Sequence, residues 1–292
     1  MIMEFLKVED NYFLREMQLT INGKLFTFQR PIVMGIVNCT PDSFYVASQN
    51  DAISAQIKAI EQQLAEGADW IDIGGYSSRP GAVDISENEE IERVLPAIQH
   101  LAKNHPNCII SIDTFRAQVA QKAIKAGAHI VNDITGGKGD KNMFSIVGKL
   151  KCPYILMHMK GTPQTMQTEN NYSDLVKDIA LFFSEQIARA QAAGIVDIII
   201  DPGFGFAKDT AQNFELFHSL PYFQLFKRPI LVGVSRKSMI YKTLETTPEK
   251  ALNGTTVLNT LALQNGAAIL RVHDVRAAKE VVVLSELATK RY

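Results

Sequence analysis

The sequence predicts a single-domain parallel (β/α)8 barrel preceded by a short β-hairpin. Eight apolar runs, each ending in polar or charged residues, recur along the 292 residues, and most are separated by a helical pattern. Their spacing of roughly 20 to 45 residues suits strand-plus-helix units, and a complete barrel needs about 250 residues. No Pro/Ser-rich linker or shift in composition divides the chain. We therefore expect residues 1–292 to form one domain, with residues 1–30 as the hairpin extension.

The composition excludes several classes of protein. Apolar residues make up 46% and charged residues 21%, which is typical of a soluble globular chain. The net charge of −1 argues against nucleic acid as the main partner. No apolar run reaches the roughly 20 residues that span a bilayer, and Met1 to Asp10 carries acids where a signal peptide has its apolar core. The three cysteines lack a C-x-x-C spacing, so we expect no disulfide framework, no cysteine-bound zinc and a cytoplasmic location.

The individual elements follow from local patterns. Alternating residues around Asn22-Gly23 predict a type I′ hairpin that closes the N-terminal end of the barrel. Runs rich in β-branched residues predict strands at 32–37, 70–73, 108–112, 129–131, 154–157, 196–200, 229–234 and 268–270. Helices are predicted at 52–66, 87–104, 115–126, 173–193 and 247–264, with a shorter helix before the fifth strand and a last helix at the end. Gly67 ends the first helix, Ser86 and Glu89 form a capping box, and Pro248 lies in a first turn.

Polar side chains follow directly after most of the predicted strands. The clearest example is Asp201, which closes the run Val196 to Ile200 and is followed by Pro202 and Gly203. Parallel barrels carry their chemistry on the carboxyl ends of the strands. The side chains that would share this rim are Asn38, Asp113, Asn132, Asp201, Lys237, Arg271 and His273.

These side chains divide into two chemical groups. Carboxylates, an amide and an ammonium (Asp113, Asn132, Asp201 and Lys237) suit a flat heterocycle with ring N–H groups, an exocyclic amine and a carbonyl. Arg271 and His273, two residues apart at the end of the last strand, suit a phosphate or diphosphate. Asn38 can orient that anion or ligate Mg²⁺.

Each of these residues also has an ordinary structural explanation. A strand-end aspartate commonly caps a helix or forms a turn, and a lone lysine is commonly a solvated charge. Arg271 and His273 can simply pair with Asp274. The loop 74–81 either grips an anion or is a plain glycine-rich turn, and Phe44 either packs on the body or covers a ligand. The joint placement on six strand ends favours a binding site.

Seven motifs in order resemble the dihydropteroate synthase family, and together they extend from about Pro31 to the C-terminus. They are Met34 to Phe44, Gly74 to Gly81, Ile112 to Thr114, Val131 to Asp133, Asp201 to Phe206, Ser235 to Ser238, and Arg271 to Val275. The resemblance implies an alkyl transferase of folate biosynthesis that is a sulfonamide target. Its substrates would be 6-hydroxymethyl-7,8-dihydropterin diphosphate and 4-aminobenzoate, and its products 7,8-dihydropteroate and diphosphate.

The resemblance also implies roles for individual residues. The pterin would be held by Asp113, Asn132, Asp201 and Lys237, with Asp113, Lys237 and Asp201 catalytic, and the diphosphate by Asn38, Arg271 and His273, with Asn38 on Mg²⁺. The aminobenzoate and the closing loops would involve Thr40, Phe44, Ser78, Arg79, Pro80, Phe206 and Ser238. The family further implies a homodimer, with contacts through the late helices. Two departures from the family pattern are Tyr76, where many members have Glu, and Cys39, where many have Val or Ala.

The residues suggest a mechanism and three alternatives. An arylamine is a weak nucleophile, so we expect the pterin-CH2–O bond to break early and Asp113 to stabilise the resulting carbocation. The first alternative is an aldolase in which Lys237 forms a Schiff base. The second is a relative that transfers a methyl group from a reduced folate, and the third is a catalytically silent pterin-binding subunit.

Overall fold

Eight parallel strands form a barrel, as the sequence predicts. The computed structural model describes residues 17–40, 49–77, 83–162 and 164–289. The barrel strands are β3 (Ile32–Asn38), β4 (Trp70–Gly74), β5 (Ile109–Asp113), β6 (Ile130–Asp133), β7 (Tyr154–Met157), β8 (Ile198–Asp201), β9 (Leu231–Val232) and β10 (Ile269–Val272). Their order is β8-β7-β6-β5-β4-β3-β10-β9, and a parallel bridge between Ile200 and Ile230 closes the ring.

The predicted hairpin closes one end of the barrel. Strands β1 (Gln18–Ile21) and β2 (Lys24–Thr27) pair antiparallel, and both turn residues, Asn22 and Gly23, have positive φ as a type I′ turn requires. Leu19 and Phe28 of this segment pack with Trp70 and with inward-facing residues at the start of the strands. The hairpin is therefore an apolar floor opposite the carboxyl ends of the strands.

Helices cover the outside of the barrel. Among the described residues they are α1 (Gln49–Ala65), α2 (Glu87–Asn104), α3 (Ala117–Lys125), α4 (Met143–Leu150), α5 (Leu175–Ala192), α6 (Thr210–His218), α7 (Ser238–Tyr241), α8 (Leu252–Gln264) and α9 (Val275–Thr289). Short 3-10 helices span Met166–Thr168, Leu220–Phe226 and Pro248–Lys250. No helix of the described ranges is long and apolar enough to cross a membrane.

Three local predictions differ from the structure. The strand predicted at 229–234 is confined to Leu231–Val232, because the chain already turns where Lys237 N–H donates to the Val234 carbonyl. The helix predicted at 247–264 is a 3-10 turn followed by α8, and Arg236 donates to the carbonyls of Pro248 and Glu249 in that turn. Ser86 caps α2, but the Glu89 carboxylate pairs with Arg93 instead of completing a capping box.

Strand register brings polar residues to one level of the barrel. Asn38 lies opposite Gly74, Gly74 opposite Asp113, and Asp113 opposite Asn132. Because side chains alternate along a strand, Asp72 points to the same face as Gly74, one layer deeper. The register thus defines an upper polar ring with a buried carboxylate beneath it.

Candidate active site

Arg271 joins two acids across the mouth of the barrel. Its Nη2 lies 2.6 Å from Asp113 Oδ2 and its Nε lies 2.6 Å from Asp72 Oδ2. The Asp72 side chain is fully buried, whereas those of Asp113 and Arg271 keep about a fifth of their surface exposed. This fork of charge-assisted hydrogen bonds fixes the guanidinium directly below the opening.

Asn132 belongs to the same network. Its Nδ2 donates to Asp72 Oδ2 at 3.0 Å, and this orients the side-chain carbonyl away from that acid. Asp72 Oδ1 and Ser111 Oγ, both buried, have no hydrogen-bond partner among the described residues. A buried polar atom without a partner is costly, so this layer suits a ligand that brings hydrogen-bonding groups of its own.

Asp201 and Lys237 lie on the opposite side of the mouth. Asp201 Oδ1 accepts from the N–H of Gly203 at 2.7 Å, which holds the turn after β8. Lys237 Nζ donates to the Phe204 carbonyl of that turn and lies 4.6 Å from the centre of the Phe206 ring. The loop after β8 and the residue that precedes α7 are thereby joined at the rim.

A second lysine supports this loop from behind. Lys208 Nζ donates to the carbonyls of Gly203 and Phe206 at 2.9 and 3.0 Å, and contacts His158 Nδ1 at 3.1 Å. Burial and the neighbouring lysines lower the pKa of His158 well below its usual value, so the ring is neutral and accepts this hydrogen bond. Lys208 therefore positions the loop that carries Phe206.

Burial shifts the proton equilibria of the acids and lysines at the mouth. Burial raises the pKa of Asp113 to about 7 although Arg271 opposes the shift, and it also raises the pKa of Asp201. Burial lowers the pKa of Lys237 to about 8 and that of Lys208 to about 7, against the attraction of Asp201. Burial also disfavours the charged form of Arg271, but Asp72 and Asp113 outweigh this effect and raise its pKa, so the guanidinium stays charged.

The loop after β5 is fixed by a buried acid from α2. Glu90 accepts from the Thr114 hydroxyl at 2.6 Å and from Arg116 Nη1 at 2.9 Å, so the residue next to Asp113 is held in place. Arg116 stacks over Tyr76 with 5.2 Å between the guanidinium carbon and the ring centre. The Tyr76 hydroxyl accepts from Gln164 Nε2 at 2.5 Å, so the residue that departs from the family pattern links the loops after β4 and β7.

The remaining predicted site residues occupy different environments. Asn38 is half-buried at the end of β3, and Thr40 is buried two residues later. Phe206 is half-buried in the loop after β8, where its ring contacts Lys237, and Ser238 is half-buried as the first residue of α7. His273 is exposed just beyond β10, and its backbone N–H donates to Ser235 Oγ at 3.2 Å. Phe44, Ser78, Arg79 and Pro80 lie outside the described residues.

Two expectations from the sequence require correction. The predicted cationic pocket of Arg271 and His273, separate from the acids, is not what the structure contains, because Arg271 points across the barrel to Asp72 and Asp113. The alternative pairing of Arg271 and His273 with Asp274 is also wrong for Arg271, since Asp274 forms a two-pronged ion pair with Arg236. The left-handed backbone of Arg236, with φ of 54°, aims that side chain at Asp274.

Sequence reasoning missed two residues of the site. Asp72 is a charged residue inside the apolar strand Trp70–Gly74, and an acid at an inward position of a buried strand is a usable signal. Lys208 carries no comparable signal, because it follows a loop in which a lysine is ordinarily solvated.

The chain is similar to known proteins over most of its length. Residues 34–273 match the family described as pterin binding enzyme. The chain is 38% identical to dihydropteroate synthase of Escherichia coli K12 over 94% of this chain and 100% of that protein. It is 42% identical to dihydropteroate synthase of Synechocystis over 92% of this chain and 94% of that protein.

Solved structures of dihydropteroate synthases are also similar to this chain. A Yersinia pestis dihydropteroate synthase solved with a sulfonamide drug superimposes with a TM-score of 0.87 and 39% identity, covering 93% of this chain and 99% of that one. A Xanthomonas albilineans dihydropteroate synthase solved with 4-aminobenzoic acid gives a TM-score of 0.85 and 37% identity, covering 94% and 99%.

Fold and comparisons define a barrel enzyme with a cluster of charged and polar side chains at the carboxyl ends of its strands. The chain belongs to the pterin binding enzyme family. Within that family it falls among the dihydropteroate synthases, which are transferases of folate biosynthesis.

Proposed function

We propose that the protein condenses 6-hydroxymethyl-7,8-dihydropterin diphosphate with 4-aminobenzoate, releasing diphosphate and 7,8-dihydropteroate. The observation that carries this proposal is the cluster of Asp113, Arg271, Asn132, Asp201 and Lys237 at one mouth of the barrel. The matched dihydropteroate synthases support the choice of substrates.

The pterin ring would be recognised by complementary donors and acceptors. Asp113 and Asp201 offer carboxylate oxygens to the ring N–H groups and the exocyclic amine. The Asn132 side chain offers its carbonyl and Lys237 its ammonium, which suits the carbonyl or a ring nitrogen. Because the site is partly buried, each of these hydrogen bonds also discriminates against analogues that leave a group unpaired.

Charge separation would lower the barrier of the first step. The C–O bond to the diphosphate breaks early, the electron pair leaves with the diphosphate oxygen, and positive charge spreads over the dihydropterin. That positive charge lowers the pKa of Asp113 from about 7 and favours its anionic form where the charge develops. The arylamine nitrogen then attacks the methylene carbon and loses its proton.

Arg271 would interact both with Asp113, which faces the pterin, and with the leaving diphosphate. In the ligand-free protein its single positive charge is shared between Asp113 and Asp72. An incoming diphosphate competes for the same guanidinium, because Arg binds phosphate oxygens through the same fork. Drawing Arg271 towards the diphosphate uncovers negative charge on Asp113 when the ring becomes positive.

Asn38 would hold Mg²⁺ through its amide oxygen. Mg²⁺ typically keeps several waters and takes only one or two protein oxygens together with substrate phosphates, so one amide at the rim fits its preference. When bound, the ion neutralises charge on the diphosphate and so assists its departure. His273, exposed at the end of the neighbouring strand β10, is available to the same diphosphate.

The aminobenzoate would lie beside the Lys237 ammonium. Phe206 offers a ring face for the arene, and its contact with Lys237 fixes its orientation. Thr40 and Ser238 are proposed to contribute hydroxyls, and Phe44, Ser78, Arg79 and Pro80 to complete the loops over this substrate.

The test is a diphosphate-release assay with the pterin diphosphate, with and without 4-aminobenzoate and Mg²⁺. Release that depends on both and is accompanied by dihydropteroate supports the proposal. Substrate binding without release would instead identify a silent pterin-binding subunit. Trapping of a substrate on Lys237 by borohydride would identify a Schiff-base enzyme.

A cytoplasmic homodimer is the form proposed for the enzyme in the cell. The two last helices are in contact, and both expose apolar side chains, namely Leu252, Val257 and Leu261 of α8 and Val283, Leu284 and Leu287 of α9. Exposed apolar residues clustered on adjacent helices are typical of an interface. Light scattering of the wild type and of Val257→Asp distinguishes a dimer through this face from a monomer.

A further inference from the structure

A second cluster of polar side chains lies on the outer surface of the barrel. Glu61 of α1 faces His100 of α2 and His105, which follows the end of α2. Glu61 Oε1 lies 2.9 Å from His100 Nε2 and 2.8 Å from His105 Nε2. The three ligand atoms all lie within 4.8 Å of one another, and this is the one group of three or more His, Cys, Asp or Glu with such spacing among the described residues.

The cluster is remote from the reaction. Glu61 lies in the last turn and a half of α1 and precedes β4, while His105 precedes β5. Both therefore lie near the amino ends of the strands, the face of a barrel that serves stability rather than catalysis. The mechanism uses none of these residues.

The donor set suits a late transition cation. Two imidazole nitrogens and one carboxylate oxygen are ligands of Zn²⁺, and bonds of about 2.0–2.1 Å in a tetrahedron place ligand atoms about 3.3 Å apart. The observed separations of 2.9 and 2.8 Å need only a small opening to reach that distance. The side chains are 23%, 33% and 43% exposed for His100, His105 and Glu61, so a cation and a water as fourth ligand have access.

The other nitrogen of His100 also has a partner. Asn104 Nδ2 is placed 3.0 Å from His100 Nδ1. Asn104 Nδ2 also donates to the His100 carbonyl at 3.1 Å, which fixes the orientation of the amide. Binding a cation through Nε2 moves the His100 proton to Nδ1 and breaks the contact between Nδ1 and Asn104, while the bond from Asn104 to the carbonyl can remain.

We propose that Glu61, His100 and His105 form a binding site for Zn²⁺ that clips α1 to the end of α2. The site holds one cation per chain, with water as the fourth ligand. Its effect is on stability, because ligands that bind only the folded state raise the free energy of unfolding.

The experiment is a Zn²⁺ titration by calorimetry, using untagged protein in excess Mg²⁺, which prefers oxygen ligands and does not occupy imidazole sites. Co²⁺ replaces Zn²⁺ in a parallel titration, because its visible absorption reports a low-coordinate nitrogen and oxygen environment. We expect one saturable site per chain and a higher thermal unfolding midpoint with Zn²⁺. The double variant His100→Ala/His105→Ala should weaken binding at least about 10-fold and lose the shift in midpoint.

Two further variants make the test decisive. Glu61→Gln keeps a hydrogen-bond acceptor for both histidines but removes the anionic ligand, and it should also weaken binding. His218→Ala, an exposed histidine at the end of α6, is the matched control and should bind as the wild type does. The absence of saturable binding to the wild type, or equal affinity in the wild type and the double variant, would overturn the proposal.

Discussion

Arg271 Nη2 and Asp113 Oδ2 are 2.6 Å apart, although 158 positions separate the two residues in the chain. The pair links the strand that precedes the last helix to a strand on the other side of the barrel mouth. In the proposed reaction this pair unites an anion for the pterin with a cation for the diphosphate.

Asp113→Asn should lower kcat by on the order of 100-fold or more. The substitution keeps the shape and hydrogen-bonding capacity but removes the charge that faces the developing cation, and one preorganised electrostatic group is worth about that much. Steady-state kinetics on variant protein with an unchanged unfolding midpoint measures the effect. Turnover near that of the wild type would remove Asp113 from the mechanism.

Arg271→Ala should weaken diphosphate-bearing ligands most. The guanidinium is the cation best placed to exchange a carboxylate for a diphosphate oxygen. Titration with the pterin diphosphate and with the dephosphorylated pterin alcohol separates the two contributions. Equal losses for both ligands would show that Arg271 acts only by positioning Asp113.

Arg271→Ala should also lower the free energy of unfolding, and the second substitution Asp72→Asn should restore part of that loss. Removing Arg271 leaves the fully buried Asp72 carboxylate without its cation, and breaking such a pair costs about 3–5 kcal/mol. Adding Asp72→Asn removes the stranded charge, so the double variant should be more stable than Arg271→Ala alone. Denaturant unfolding of the four proteins gives the coupling free energy. Additive losses would mean that the Asp72–Arg271 contact contributes nothing.

Lys208→Met should flatten the pH dependence of stability between about pH 7 and pH 10. Burial lowers the pKa of Lys208 from 10.5 to about 7, so in this range the unfolded chain binds a proton that the folded chain does not. Wild-type stability therefore gains from this group as pH rises through the window and loses it as pH falls. The variant lacks that slope, although loss of the hydrogen bonds to Gly203 and Phe206 lowers its stability at every pH. Unfolding at several pH values tests this, with Lys177→Met on the surface of α5 as control.

Gly203→Ala and Gly23→Ala should differ in activity, although the two glycines have nearly the same φ angle. Their φ angles are 75° and 73°, so each alanine carries the left-handed strain of about 1–2 kcal/mol. A Cβ on Gly23 meets open space, whereas one on Gly203 lies 2.0 Å from the His158 carbonyl oxygen. We expect the Gly203 variant alone to lose activity, because the loop carrying Phe206 must move. Equal activity of the two variants would contradict this view of the loop.

The sequence predicted the barrel and the rim because both depend on local patterns. Apolar runs closed by Asp113, Asn132 and Asp201 mark strand ends, and Asn22-Gly23 marks the hairpin turn. The pairing of Arg271 with Asp72 and Asp113 depends on register and side-chain direction across several strands, which no local pattern contains. For the same reason the sequence left open a pairing of Arg271 with Asp274, whereas in the structure Asp274 pairs with Arg236, whose φ is positive.

The apolar floor formed by the hairpin closes one end of the barrel and leaves the other end open. Leu19 and Phe28 pack with Trp70 at the far end, so the described residues leave no passage for a pterin along the axis there. Both substrates and both products would therefore enter and leave through the same opening, at the carboxyl ends of the strands. We therefore expect release of diphosphate or dihydropteroate through that opening, rather than bond formation, to limit the rate of the next cycle.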